Sequence, residues 1–193
     1  QGIVPARYLE TRPSPEGTFD DARENIGRIQ GGQTVRVKVA DRGWVPANAE
    51  GVSLNVAAVN PQGTGYLTVF PCGTGVPTST LNYTAGNTVA NSATMRPGEN
   101  GEICIYAQTT TDVYLDVTGY YPAGSGFVGV TPTRLLDTRN SGGPVTSTRV
   151  KVAGIPGVPA DAKAVRLNVT AVDADFTGGE VDVRGASGGG GSW

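Results

Sequence analysis

Residues 34–59, TVRVKVADRGWVPANAEGVSLNVAAV, contain two runs in which apolar and polar side chains alternate. Successive side chains of a β-strand point to opposite faces, so a period of two predicts half-buried strands with one apolar face. The segment between the runs contains Gly, Pro and Asn, which are typical of turns. The apolar positions of the two runs are Val35, Val37, Val39, Val52, Leu54 and Val56.

The same alternation recurs along the chain, between turn signals such as NPQGTG and RPGENG. The 29 glycines and 13 prolines among 193 residues also favour strands joined by many turns. We therefore predict an all-β fold, an antiparallel β-sandwich. A short helical turn is expected only in DDARENI, residues 20–26. The further apolar positions are Leu67, Val69, Ile103, Ile105, Val113, Leu115 and Val117.

Part of this pattern occurs twice. STRVKVAGIPGVPADAKAVRLNVTAV, residues 147–172, aligns with residues 34–59, and TPTRLLDTR at residues 131–139 aligns with VPARYLETR at residues 4–12. This repeat predicts a β-sandwich module followed by a partial second copy of the same module.

The predicted boundary lies at the PAGSG linker, so a complete module spans residues 1–122 and the partial repeat, with a Gly-rich tail, spans residues 123–193. The second copy lacks the loop TFDDARENIGRIQGG, and GGEVDV is followed by RGASGGGGSW. Three strands alone would leave an unpaired edge and an open core. Either the chain is a truncated piece, or another subunit supplies the missing strands by β-augmentation.

The two cysteines, Cys72 and Cys104, each lie in or beside an alternating apolar segment. This placement predicts a disulfide between neighbouring strands of an exported protein, with two free buried thiols as the alternative. A zinc site is disfavoured because two thiolates without any histidine leave the metal half coordinated. No metal or other cofactor is predicted.

The charge balance disfavours nucleic acid as a partner, and the lengths of the apolar runs disfavour a membrane span. Lys and Arg number 15 against 17 for Asp and Glu, so the net charge of −2 produces no strong field for nucleic acid. No apolar run approaches 18 residues, so no membrane span is predicted.

The duplicated motif contains the most prominent polar cluster. A functional interpretation makes the acid a sugar or calcium ligand or a general acid. A structural interpretation makes the cluster an ion-paired lock where the chain enters the sheet. We favour the lock and predict no enzyme, because each copy has one carboxylate and the chain has no histidine. The residues are Arg7, Glu10 and Arg12 in the first copy and Arg134, Asp137 and Arg139 in the second.

A set of aromatic side chains is expected on outward-facing positions. They could form a stacking platform for carbohydrate, or they could pack against a second sheet or a neighbouring subunit. The candidates for glycan or interface contact are Trp44, Tyr66, Phe70 and Tyr114, and the wider set adds Tyr83, Tyr106, Tyr120 and Tyr121.

The order of VPARYLETR, the cysteine segments and DVYLDVTGYYP resembles a repeat module of secreted and surface proteins from actinobacteria and related Gram-positive lineages. That module usually begins P-x-R-L-L-D-T-R, contains a cysteine pair and ends G-Y-F-P, whereas Tyr8, Glu10 and Tyr121 differ here. The resemblance implies an exported, non-catalytic β-module.

The expected role is therefore structural or adhesive, at a cell surface or in a self-assembling, filamentous structure. Another copy of the chain or a neighbouring surface protein is the expected partner. Carbohydrate binding alongside secreted hydrolases is the alternative.

Overall fold

A computed structural model describes residues 1–75, 78–130, 133–140, 147–171, 181 and 183–185. The chain divides into two compact units, Gln1–Thr133 and Arg134–Trp193. The predicted boundary after residue 122 lies earlier than this division. Phe127 stacks on Tyr121 with ring centroids 4.5 Å apart, and the Gly124 amide donates to Glu50 at 2.9 Å, so the linker packs against the first unit.

The first unit consists of two antiparallel four-stranded sheets, which confirms the all-β prediction. The strands are β1 (Gly2–Glu10), β2 (Thr34–Lys38), β3 (Gly51–Val59), β4 (Gly65–Pro71), β5 (Leu81–Tyr83), β6 (Val89–Met95), β7 (Glu102–Ala107) and β8 (Asp112–Tyr121). One sheet has the order β1-β8-β3-β6 and the other the order β2-β7-β4-β5. No helix in the described part of the chain has the length and apolar character needed to cross a membrane.

The core lies between the two sheets and is formed by the alternating apolar residues. Almost all of the apolar positions predicted from the period of two are buried there, and Val35 is partly buried at the margin. Burying these side chains provides the main favourable term in folding. The buried members are Val37, Val39, Val52, Leu54, Val56, Leu67, Val69, Ile103, Ile105, Val113, Leu115 and Val117.

The predicted disulfide between Cys72 and Cys104 is present, with the two Cα atoms 5.1 Å apart. Cys104 belongs to β7 and pairs with Phe70 of β4. It alternates with the core residues Ile103 and Ile105, so the bridge lies on the outer face of its sheet.

The helical turn predicted for residues 20–26 is wrong. Asp21, Arg23 and Asn25 all have positive φ, of 57°, 63° and 50°, whereas a helix needs consecutive residues with negative φ. The segment instead lies alongside the end of β1, where the Glu10 amide donates to the Arg23 carbonyl at 3.1 Å. Other backbone groups of the segment bind side chains in place of helical partners, as where the Ala22 carbonyl accepts from Thr18 Oγ1 at 2.7 Å and from Arg42 Nη2 at 3.0 Å.

Thr68 on β4 has a buried hydroxyl group whose effect on stability can be tested. Its Oγ1 is buried and has no hydrogen-bond partner, a costly state for a hydroxyl. Thr68→Val is expected to raise the free energy of unfolding by about 1 kcal/mol, measured by urea denaturation. The control is Thr111→Val, whose buried hydroxyl contacts the Val59 carbonyl at 3.2 Å and the Asp112 carbonyl at 2.9 Å. Thr111→Val should lower the free energy of unfolding. Equal effects of the two substitutions would contradict the conclusion that the Thr68 hydroxyl is buried without a hydrogen-bond partner.

The second unit contains no strand among its described residues; a single 3₁₀ turn spans Thr138–Asn140. A turn in this unit matches one in the first unit. The Val158 amide donates to the Ile155 carbonyl at 2.9 Å, as the Val45 amide donates to the Arg42 carbonyl at 3.2 Å. Four of the apolar residues that align with the core of the first unit are exposed, namely Val150, Val165, Leu167 and Val169, while Val152 and Val158 are partly buried.

Candidate functional site

The Glu10 carboxylate lies between two arginines at the end of β1. Arg7 Nη1 donates to Oε2 at 2.7 Å. Arg12 binds both oxygens, with Nε 2.9 Å from Oε1 and Nη2 2.8 Å from Oε2, and its amide lies 3.1 Å from Oε1. The Glu10 side chain is fully buried. The two-pronged contact of Arg12 is the geometry that guanidinium and carboxylate groups favour.

The motif packs against β8 through polar and aromatic contacts. Arg7 Nε lies 2.9 Å from Asp116 Oδ1, and its guanidinium lies 4.3 Å from the centre of the Tyr114 ring. Thr11 Oγ1 donates to Asp112 Oδ1 at 2.9 Å and accepts from the Val113 amide at 2.9 Å. These contacts join the first strand to the last.

Two opposing effects act on the Glu10 carboxyl. Burial alone would raise its pKa, because it disfavours the charged form. Hydrogen bonds from the Arg12 side chain and amide, together with the charges of Arg12 and Arg7, outweigh burial and hold the pKa of Glu10 below its usual value. A carboxyl that is ionised and fully engaged suits a structural anion better than a proton donor.

The lowered pKa of Glu10 predicts how stability depends on pH. Its contribution is fully present above the pKa of an unfolded glutamate, about 4.3, and is lost as pH falls from there through the lower folded pKa. We expect the difference in unfolding free energy between the wild type and Glu10→Gln to shrink as the pH falls below about 4.3. Urea unfolding at several pH values from 7 to 3 measures it, and a constant difference would contradict the expectation.

The second copy of the motif repeats this geometry. Arg134 Nη1 lies 2.8 Å from Asp137 Oδ2, while Arg139 places Nε 2.9 Å from Oδ1 and Nη2 2.7 Å from Oδ2. The pKa of Asp137 is lowered chiefly by the hydrogen bond from the Arg139 side chain. The Arg134 and Arg139 side chains are 53% and 58% exposed, whereas the Asp137 side chain between them is 13% exposed.

Trp44 forms the most exposed aromatic cluster. It is 53% exposed, and its ring lies 5.2 Å from that of Phe19, which in turn lies 4.8 Å from Tyr8. Arg42 lies over the Tyr8 ring at 4.8 Å and binds Asp20 at 2.6 Å. The Phe19 ring packs against Trp44, and Tyr8, Arg42 and Asp20 in turn hold Phe19 and its loop in place, so one face of the Trp44 ring stays exposed.

The other candidate aromatics do not join Trp44 in one platform. Tyr66 on β4 faces Tyr106 on β7 at 6.0 Å, and Tyr114 lies beneath Arg7. The prediction that Phe70 and Tyr83 are exposed is wrong, since they are 5% and 3% exposed. Phe70 points outward but packs against the disulfide. Tyr83 faces the core and is hydrogen-bonded at 3.2 Å to the Tyr66 carbonyl.

A depression of about 290 Å³ lies beside Glu50 and Arg96. The pKa of Glu50 is lowered, first by the Gly124 amide that donates to it and then by Ser125. Within the described ranges, no group of three or more His, Cys, Asp or Glu residues could hold a metal ion.

Sequence reasoning missed the residues that receive the motif, Asp112 and Asp116. The alternation of DVYLDV carried a signal, because it places both acids on the same face as Tyr114. It also missed Phe19 and Arg42. A comparison of the two copies carried a signal for this cluster. Trp44, which aligns with Gly157, and the loop that contains Phe19 both occur only in the first copy, so they could have been expected to lie together.

No protein-family model matches the chain, and comparisons with curated proteins and with solved structures find no significant match.

Proposed function

We propose that the chain is a non-catalytic, exported structural or adhesive module of a cell surface or self-assembling structure, in which a neighbouring subunit completes the partial second repeat. One observation carries this proposal. Leu167 and Val169 are exposed in the second unit, whereas the aligned Leu54 and Val56 are buried in the first. Exposed apolar groups that would form a core in a complete module favour association with another chain.

The polar clusters support a role without catalysis. The acid of each motif copy is held by two arginines, which lower its pKa and leave it a poor proton donor. The disulfide supports export, because such bonds persist mainly in oxidising compartments. The resemblance to secreted surface modules favours the same location.

The assembly proposal is tested by the size of the purified full-length chain in solution. Light scattering coupled to gel filtration, with electron microscopy of the same fractions, is expected to show concentration-dependent growth into oligomers or filaments. Leu167→Ser should abolish this growth and leave the circular dichroism of the first unit unchanged, because it removes an apolar contact only from the second unit. Gln62→Ser, a polar substitution in a surface turn of the first unit, is the control. A monomer at every concentration would contradict the proposal.

Carbohydrate binding remains a second candidate because of one observation, the exposed Trp44 ring supported by Phe19 and Arg42. Exposed aromatic faces stack well on the apolar faces of sugar rings. Phe19 and Trp44 have no aromatic counterpart in the second copy, which favours a role restricted to the first unit.

A glycan array and a cell-wall pull-down with the full-length chain test this candidate. Trp44→Ala is expected to weaken any binding about tenfold, because it removes the stacking surface. Val4→Ala, at another exposed apolar residue, is the control and should change nothing. Binding that is absent, or unchanged after both Trp44→Ala and Tyr66→Ala, would rule the candidate out.

A further inference from the structure

Trp44 lies in a tight turn, residues 42–45, whose backbone is held in one conformation. The Val45 amide donates to the Arg42 carbonyl at 3.2 Å and closes the turn. Gly43 has a φ of +57°, and a Cβ atom there would lie 2.7 Å from Cζ of the Phe19 ring. Turn closure and this close approach fix the backbone beside Trp44, so its exposed ring has a defined position.

The charged groups next to this turn already have partners inside the protein. Both carboxylate oxygens of Asp20 bind Arg42, which lowers the pKa of Asp20. A guanidinium group has five N–H donors, so the Arg42 side chain has none left for an anionic ligand. Its acceptors are Asp20 Oδ1 and Oδ2 at 2.6 and 2.8 Å and the carbonyls of Tyr8, Lys38 and Ala22 at 2.8, 3.2 and 3.0 Å.

Trp44 offers a single ring for stacking. The Phe19 ring is inclined by 47° to the Trp44 ring, with the centroids 5.2 Å apart, so the two rings do not form one flat surface. Tyr66 and Tyr114 lie on β4 and β8 and contact other groups. A chain of sugars gains stacking contacts from several residues only where several rings lie in a row. The site therefore has room for one stacked sugar ring.

We infer that the Trp44 turn is a binding site for one uncharged sugar residue, a hexopyranose ring that stacks its apolar face on the indole. This inference rests on carbohydrate binding, the second candidate function, and names the ligand class. A ligand of this size forms a small contact, so the Kd of the free sugar is expected to be on the order of 1 mM. Weak contacts of this kind retain a surface only when many copies bind together, as in the proposed assembly.

Ligand-observed saturation-transfer NMR with the full-length chain measures such weak binding. The uncharged probes are methyl glucoside and methyl N-acetylglucosaminide, and glucuronate and glucosamine are their anionic and cationic counterparts. Saturable binding is expected for both uncharged sugars, and their affinity should not depend on salt because no charge pair forms. The two charged sugars should bind no more tightly than the uncharged ones.

Trp44→Ala is expected to weaken binding of the uncharged sugars about tenfold, because it removes the stacking surface. Trp44→Phe keeps a smaller ring and should weaken it less. Trp193→Ala, at the other tryptophan of the chain, is the matched control and should leave binding unchanged. The trisaccharide of N-acetylglucosamine should bind at most about threefold more tightly than the single sugar, because its three rings compete for one site. Circular dichroism verifies that each variant retains its fold.

Three results would overturn the inference and leave carbohydrate binding standing as a function of the chain. The first is a larger gain for the trisaccharide, which would require more than one stacked ring. The second is tighter binding of glucuronate or glucosamine than of the uncharged sugars. The third is binding that Trp193→Ala abolishes and Trp44→Ala does not. If none of the sugars binds, the inference and the carbohydrate candidate fall together, and the structural proposal stands.

Discussion

Glu10→Gln is expected to lower the free energy of unfolding of the first unit by about 3 kcal/mol. The carboxylate is fully buried between Arg7 and Arg12, and removal of one partner from a buried ionic cluster leaves uncompensated charge. An amide oxygen can still accept from one guanidinium, which places the effect at the lower end for such substitutions. Urea unfolding at pH 7, followed by circular dichroism, measures the change.

The duplicated motif supplies the matched control for this experiment. Asp137→Asn removes the same charge from the same arrangement of hydrogen bonds, but its arginines are mostly exposed. Exposed ion pairs contribute little, so this variant should change the free energy of unfolding far less than Glu10→Gln does. Equal losses of unfolding free energy in the two variants would show that burial of the first motif against β8 does not determine how much its ion pairs stabilise the fold.

The double substitution Cys72→Ala and Cys104→Ala is expected to cost roughly 3–4 kcal/mol of unfolding free energy. The bridge closes a loop with a sequence separation of 32, and loss of the crosslink gives the unfolded chain more conformational freedom. The variant also loses contacts between the sulfur atoms and Phe70. Denaturant unfolding under oxidising conditions compares it with the wild type.

Wild-type protein unfolded in the presence of a reductant separates the two contributions. It loses the crosslink but keeps both sulfur atoms, so its stability should lie between those of the oxidised wild type and the double variant. A loss below about 1 kcal/mol in both samples would mean that the crosslink constrains the unfolded chain far less than its length implies.

The core could be predicted from the sequence because alternation is a local property. Val52, Leu54 and Val56 occupy one face of β3 whichever strands lie beside it, and that face must be buried. The disulfide followed from the same reasoning, since Cys72 and Cys104 lie in or beside alternating segments. By contrast, the strand order β1-β8-β3-β6 depends on contacts between distant residues.

The aromatic predictions show where local reasoning failed. Alternation correctly placed Phe70 opposite the core, but an outward side chain is exposed only if nothing covers it, and here it packs against the disulfide. The helical turn expected at residues 20–26 failed for a related reason, because the segment packs beside β1, where the Glu10 amide donates to the Arg23 carbonyl.

By itself, the sequence determined the all-β class, the core positions, the cysteine pair and the repetition of one motif, because each follows from the order of residues along a strand. Only the tertiary structure decided that the Glu10 cluster is buried against β8, whereas the arginines that hold Asp137 are mostly exposed. Burial of the Glu10 cluster depends on a strand that is distant in sequence, and spacing within the motif carries no information about that strand.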